Sequence, residues 1–255
     1  WYTREVAEAT TAWGREVINS SIKKAEELGM RVIYSDTDSL FLQNYEEKID
    51  ELMKWIEKDL GLEAKVEKVF TRIIFTEAKK KYAGLTREGR VEITGLEAVR
   101  GDWSAAAREA QKEVIEVLLK TGSASKAVHK AREHVRKLAR RSVPLKKLII
   151  WRQITRPLDE YAATQPHIVV ARRMVEDGWR VQPGDKVGYI IAQGSGPLYT
   201  RAKPYFEAEP DEVDWNYYAE KQVMVACARV LAPLGIRADQ LRARAEESSL
   251  MDFFG

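Results

Sequence analysis

The stretch Val32-Ile33-Tyr34-Ser35-Asp36-Thr37-Asp38-Ser39-Leu40-Phe41 constrains the fold more than any other part of the chain. Apolar residues on both sides of a short polar break predict a β-hairpin, with strands over 30–34 and 39–43 and the acids at its tip. Carboxylates at i and i+2 of an extended segment face the same side. Held that close, Asp36 and Asp38 both stay ionised only if a cation sits between or beside them. An all-oxygen site with few protein ligands suits Mg²⁺, which keeps waters and takes the rest of its shell from phosphate. One reading is therefore a metal site for phosphoryl transfer. The other is an Asp-Thr-Asp turn, acidic because turns are polar.

Around the hairpin, hydrophobic periodicity sets out an α+β chain. Residues 3–28 predict one long helix with Val6, Trp13, Val17, Ile22, Ala25 and Leu28 near one stripe, ended by Gly29. Residues 45–60 predict an amphipathic helix stopped by Gly61. Runs at 65–70, 72–76, 80–85 and 91–96 predict strands, with 86–90 as a turn. From Asp102 the pattern becomes mostly helical. Asp102 is the expected cap of a helix to about Lys120, and Ser123 of a second to about Arg141, whose apolar stripe is Ala127, Ala131, Val135 and Leu138. A helix after Pro166, a strand pair near 187–203 and a last helix over 214–232 complete the expectation. The division is 1–102, 103–245 and a tail at 246–255.

Charge is distributed unevenly. Between Lys120 and Arg152 eleven Lys/Arg face one acid, Glu133, while Glu207 to Asp214 holds five acids and no base. The basic block points to a polyanion surface. Cys227 is the sole cysteine, which excludes a disulfide framework and a cysteine metal site and fits a reducing cytoplasm. No apolar run is long enough for a membrane span. The chain begins Trp1-Tyr2-Thr3 without Met and enters a helical pattern at once, which reads as a cut in a longer protein.

Tyr34-Ser35-Asp36-Thr37-Asp38-Ser39 resembles motif C of family B DNA polymerases, Tyr-x-Asp-Thr-Asp. Lys79-Lys80-Lys81-Tyr82 resembles the family's Lys-Lys-Arg/Lys-Tyr motif, and Thr94-Gly95-Leu96-Glu97-Ala98-Val99-Arg100-Gly101-Asp102-Trp103 its thumb-entry motif. Gln153-Ile154-Thr155-Arg156-Pro157-Leu158 and Gly188-Tyr189-Ile190 resemble segments of archaeal thumbs of that family. All five occur in family order.

The resemblance implies the C-terminal part of a palm over 1–102 and a thumb over 103–245. It implies two Mg²⁺ ions, shared with a partner chain, with Asp38 as direct ligand and Asp36 in support. It assigns the primer end to the lysine motif. If 79–84 is a strand, Lys80 and Tyr82 point to one side and Lys79 and Lys81 to the other. Arg100 would contact the template-primer backbone, where Gly101 departs from the usual Arg-Arg-Asp. The second basic helix, with Lys130, Arg136, Lys137 and Arg140, would track the duplex backbone. The family's upstream metal-binding motif, its nucleotide-gripping helix and its exonuclease are absent from this sequence. The expectation is a chain inactive alone that needs a larger family B chain carrying the rest of the palm, the fingers and the exonuclease. A natural split subunit, an intein-derived piece and a cloned fragment all fit.

In the tail, Glu247-Ser248-Ser249-Leu250-Met251-Asp252-Phe253-Phe254 resembles the peptide that binds the sliding clamp (PCNA), with Glu247 in place of Gln. Leu250, Phe253 and Phe254 at i, i+3 and i+4 would form one apolar plug. The competing expectations are a non-catalytic chain that binds DNA and the clamp, and a stand-alone metal nuclease. The nuclease lacks further acids or histidines near the pair, since His129, His134 and His167 are dispersed. The expected location is the cytoplasm, at the nucleoid.

Overall fold

The computed structural model describes residues 3–242. Its compact units are Trp1–Val69 and Phe70–Gly255, so the structural division falls well before the change of character at Asp102.

In the first unit, helix α1 (Arg4–Glu27) leads through a turn at Gly29 into the antiparallel pair β1 (Arg31–Asp36) and β2 (Ser39–Gln43). A register shift between Val32 and Tyr34 makes Ile33 a bulge, and Tyr34 then meets Phe41 across the pair at 5.7 Å between ring centroids. Helix α2 (Ile49–Leu60) starts four residues later than periodicity predicts, after a turn in which Tyr45 accepts from the amides of Lys48 and Ile49. Gly61 ends it in the left-handed conformation, its amide donating to Ile56. Ala25, Met30 and Leu52 form the small core, flanked by Leu28, Val32, Leu42, Ile49 and Trp55. These groups gather at the last turns of α1, so the predicted stripe is buried only there and Trp13 stays 54% exposed.

The second unit opens with the meander β3 (Phe70–Phe75), β4 (Tyr82–Thr86) and β5 (Val91–Thr94). The separate strand expected at 65–70 does not form, because β3 pairs with β4 alone and alternation without a partner supplies no ladder. Helices α3 (Ala105–Thr121) and α4 (Ala124–Ala139) form a hairpin. Gly122, left-handed, closes the first, and Ser123 caps the second through the Lys126 amide. The N-cap of α3 is Ser104, which accepts from Ala107 at 3.3 Å, and not Asp102. The stripe Ala127, Ala131, Val135 and Leu138 is buried as periodicity predicts.

Beyond α4, β6 (Ile150–Gln153), β7 (Lys186–Ile191) and β8 (Ala202–Pro204) form a three-stranded antiparallel sheet on which α5 (Pro166–Glu176) packs. The sequence pattern predicts only the pair near 187–203; β6 is the strand it does not predict. The last helix is interrupted. α6 (Trp215–Tyr217) runs into a π-helical stretch, Tyr218–Val223, and then α7 (Met224–Leu231). The π turn sets Gln222 against the cap of α3, where its Oε1 accepts from the Ser104 amide at 3.2 Å. The unit's core joins α3, α4, α7 and the inner face of β6–β8. No helix among the described residues is long and apolar enough to cross a membrane.

Candidate active site and nucleic-acid interface

Asp36 is the last residue of β1 and pairs with Ser39, so the hairpin turns through Thr37 and Asp38 alone. The Asp38 amide donates to the Asp36 carbonyl at 2.6 Å, a three-residue turn centred on Thr37 at φ +52°. Residues 36–38 are thus a turn and not the extended segment expected, and the two acids are unequally exposed. Asp36 is half-buried, and its Oδ1 accepts from the Thr37 hydroxyl at 3.1 Å. Asp38 is exposed at the tip. A β-branched residue at positive φ is uncommon and costs about 1–3 kcal/mol, so the surrounding hairpin holds the tip in a defined shape.

The donor set is hard carboxylate oxygen, which fits Mg²⁺ and not a softer metal. Among the described residues no group of three His, Cys, Asp or Glu could hold a metal.

The lysine motif is not a strand. Lys79 and Lys80 form the turn between β3 and β4, Lys80 at φ +62°, and the strand resumes only at Tyr82. The alternation that grouped Lys80 with Tyr82 therefore does not hold. The Lys81 carbonyl closes the turn by accepting from the Thr76 amide and hydroxyl, each at 3.1 Å. Lys79 and Lys80 are exposed. Lys81 turns inward, its Nζ 2.9 Å from Glu97 Oε1. Tyr82 packs on Phe75 and Phe70, at 5.8 and 6.4 Å between ring centroids.

Glu97 is the functional candidate that sequence reasoning missed. It has no exposed surface, and Lys81, Gln111 and Arg229 all bond its carboxylate. Burial pushes the carboxyl up, and these hydrogen bonds outweigh burial and hold it below the usual range. The available signal was a lone acid between apolar neighbours in Leu96-Glu97-Ala98-Val99.

Arg100 lies in a two-point pair with Asp102, at 3.0 and 2.6 Å, and Asp102 also accepts from Arg152 Nη1 at 2.9 Å. Asp102, expected as a cap, instead orients the arginine expected at the DNA backbone. Burial raises the Asp102 carboxyl, and Arg100 and Arg152 more than reverse this.

On α4 the basic face is thinner than the count suggests. Lys130 bonds Glu133 at 2.6 Å, and Arg132 bonds the Gln240 carbonyl at 3.0 Å. Arg136 is half-buried, while Lys137 and Arg140 are exposed. The expected clamp-binding residues Glu247, Leu250, Met251, Phe253 and Phe254 lie outside the described residues.

An acidic hairpin tip in the first unit, and a lysine turn and a helix hairpin carrying exposed Lys137 and Arg140 in the second, are features suited to handling nucleic acid, and comparison makes the class specific. The profile of DNA polymerase family B matches residues 1–234, and the chain belongs to that family. It is 51% identical over 253 residues to DNA polymerase 2 of Aeropyrum pernix, covering 99% of this chain and 32% of that protein. It is 43% identical to a DNA polymerase of Thermococcus kodakarensis, covering 95% of this chain and 15% of that protein. It is similar to the structure of the family B DNA polymerase from Pyrobaculum calidifontis, with TM-score 0.68, 41% identity, and coverage of 93% of this chain and 31% of that one. The chain thus spans about a third or less of these relatives.

Proposed function

We propose that this chain supplies the motif C acids, the primer-end turn and the duplex-binding thumb of a DNA-directed DNA polymerase whose remaining parts lie on a larger family B chain. The observation that carries the reading is the hairpin tip. It presents exposed Asp38 and tethered Asp36 in a chain that family B matches over residues 1–234.

Asp38 and Asp36 would hold Mg²⁺ together with carboxylates of the larger chain. Bound there, the ions supply charge neutralisation for an attacking hydroxyl and a departing pyrophosphate. The chain's own residues do the rest. The Thr37 hydroxyl fixes the Asp36 carboxylate, so the tip keeps one orientation. Lys80, with Lys79, offers cations to phosphates at the primer end, and the Tyr82 hydroxyl is a donor to the same backbone. Arg100, aimed by Asp102, and Lys137 and Arg140 of α4 meet duplex phosphates without reading sequence. Residues 247–255 would tether the enzyme to a sliding clamp.

The test is primer extension with this chain alone, with a larger family B fragment, and with both. The reading expects synthesis only from the mixture. DNA binding by the chain without rescue of synthesis would favour a non-catalytic accessory chain.

A further inference from the structure

Glu97 stands where three separate parts of the second unit converge. Lys81 comes from the turn between β3 and β4, Gln111 from α3 and Arg229 from α7. Lys81 and Arg229 share Oε1, and Gln111 Nε2 donates to Oε2 at 2.7 Å. Gln111 extends the network. Its Nε2 also donates to the Ala226 carbonyl of α7 at 2.7 Å, and its Oε1 accepts from the Ala98 amide at 2.6 Å. The Arg229 guanidinium lies 5.3 Å over the Trp103 ring. Beside the network, the Lys80 carbonyl rests against Gly95, where an ideal Cβ would come within 2.3 Å of it.

Replacing the whole cluster of Glu97, Lys81 and Arg229 by well-packed apolar residues would cost little stability, whereas removing Glu97 alone leaves its partners unpaired. A buried charge adds register. Each partner satisfies it at one position only, and a slip leaves a charge unpaired. The register set here is that of the lysine turn against α3 and α7.

We propose that Glu97 is a positioning residue of the polymerase, which acts through Lys81 to hold the Lys79–Tyr82 turn in fixed register with the thumb helices α3 and α7. The inference rests on the primer-end reading of that turn. Lys81 is then an internal strut, and the motif's outward cations are Lys79 and Lys80. Glu97 itself touches no DNA.

The experiment uses the assembled enzyme and measures kcat and KM for primed template with Lys81→Met, Glu97→Gln, the double variant, Lys81→Arg and Lys80→Ala. Circular dichroism establishes that each is folded at the assay temperature. Lys81→Met and Glu97→Gln should each raise KM about tenfold with kcat within about twofold, since ground-state engagement is lost and not chemistry. The double variant should be no worse than Glu97→Gln alone, because the Lys81 link is already broken in it. Lys81→Arg, which still reaches the carboxylate, should recover most of the loss. If Glu97→Gln does not fold, Lys81→Met with its Lys81→Arg rescue decides alone. An unchanged KM for folded Lys81→Met, with Lys80→Ala raising it, would show that the network is only structural and overturn the inference. Additive singles would do the same. An unchanged KM for Lys80→Ala as well would remove the primer-end reading, and the inference with it.

Discussion

The Lys80 carbonyl packs against the bare Cα of Gly95, both residues in the left-handed region, so that a Cβ on the glycine would fall 2.3 Å from that oxygen. The contact joins the lysine turn to the start of the thumb-entry segment through backbone alone. Gly95→Ala must therefore shift backbone as well as adopt an unfavourable φ. It should destabilise the chain by about 1–3 kcal/mol, read as a lower midpoint in thermal or denaturant unfolding. Gly101→Ala is the control, since nothing lies within 4 Å of its Cβ and its φ is ordinary, and it should stay within about 0.5 kcal/mol.

The same open space at Gly101 gives a gain-of-function test. Gly101→Arg restores the cation that family B usually carries there, and its Cβ meets no atom within 4 Å. It should fold normally, tighten duplex binding at low salt and steepen the dependence of log K on log salt by about 1. Filter or anisotropy titrations across a salt series measure the slope; an unchanged slope would place this segment away from the phosphate backbone.

Acid should weaken the second unit. The Glu97 and Asp102 carboxyls are both held below their ordinary values of 4.5 and 3.8. Groups depressed in the folded state contribute stability that is present above the unfolded pKa and lost as pH falls through the folded one. Unfolding free energy should therefore be flat near neutrality and fall below about pH 4.5, and Glu97→Gln should flatten that acid limb while lowering the neutral plateau. Urea titrations at pH 7, 4 and 3 check this. A Glu97→Gln protein with an unchanged acid limb would remove Glu97 from the account.

Deleting residues 247–255 should leave synthesis on short primers at low salt nearly unchanged. It should remove most stimulation by a sliding clamp on long templates, because a tether raises effective concentration without adding a catalytic contact. Phe253→Ala with Phe254→Ala should mimic the deletion. Calorimetric titration of a 244–255 peptide into the clamp is the direct measure, and no heat at high micromolar peptide would strike the clamp from the partners.

What was legible in the sequence was local. The hairpin at 31–43 and the stripe Ala127, Ala131, Val135 and Leu138 follow from period and turn chemistry, which adjacent residues carry. Features set by distant partners stayed hidden. Lys81 reads as one of three exposed lysines until Glu97 and the turn at Lys80 place it inside. Asp102 reads as a cap until Arg100 and Arg152 claim it, leaving Ser104 to the helix. The acidic run after Phe206 reads as a patch, yet Glu207, Glu212 and Asp214 pair with Arg173, Lys203 and Arg201, so much of its charge fastens the β8 region. Composition cannot distinguish a charge that faces solvent from one that faces a partner across the fold.

Asp38, at the exposed hairpin tip, is proposed to hold catalytic metal in an assembled polymerase. The most direct test of this role is single-turnover primer extension by the assembled enzyme carrying Asp38→Ala, with DNA affinity measured in parallel. A metal carboxylate acts on the transition state, while lysines and arginines supply affinity. Several kcal/mol lost from the transition state is a rate loss of about a thousandfold or more. The account predicts that loss with DNA affinity within about twofold of the parent and a milder defect for Asp36→Ala. Parental turnover by Asp38→Ala would contradict it.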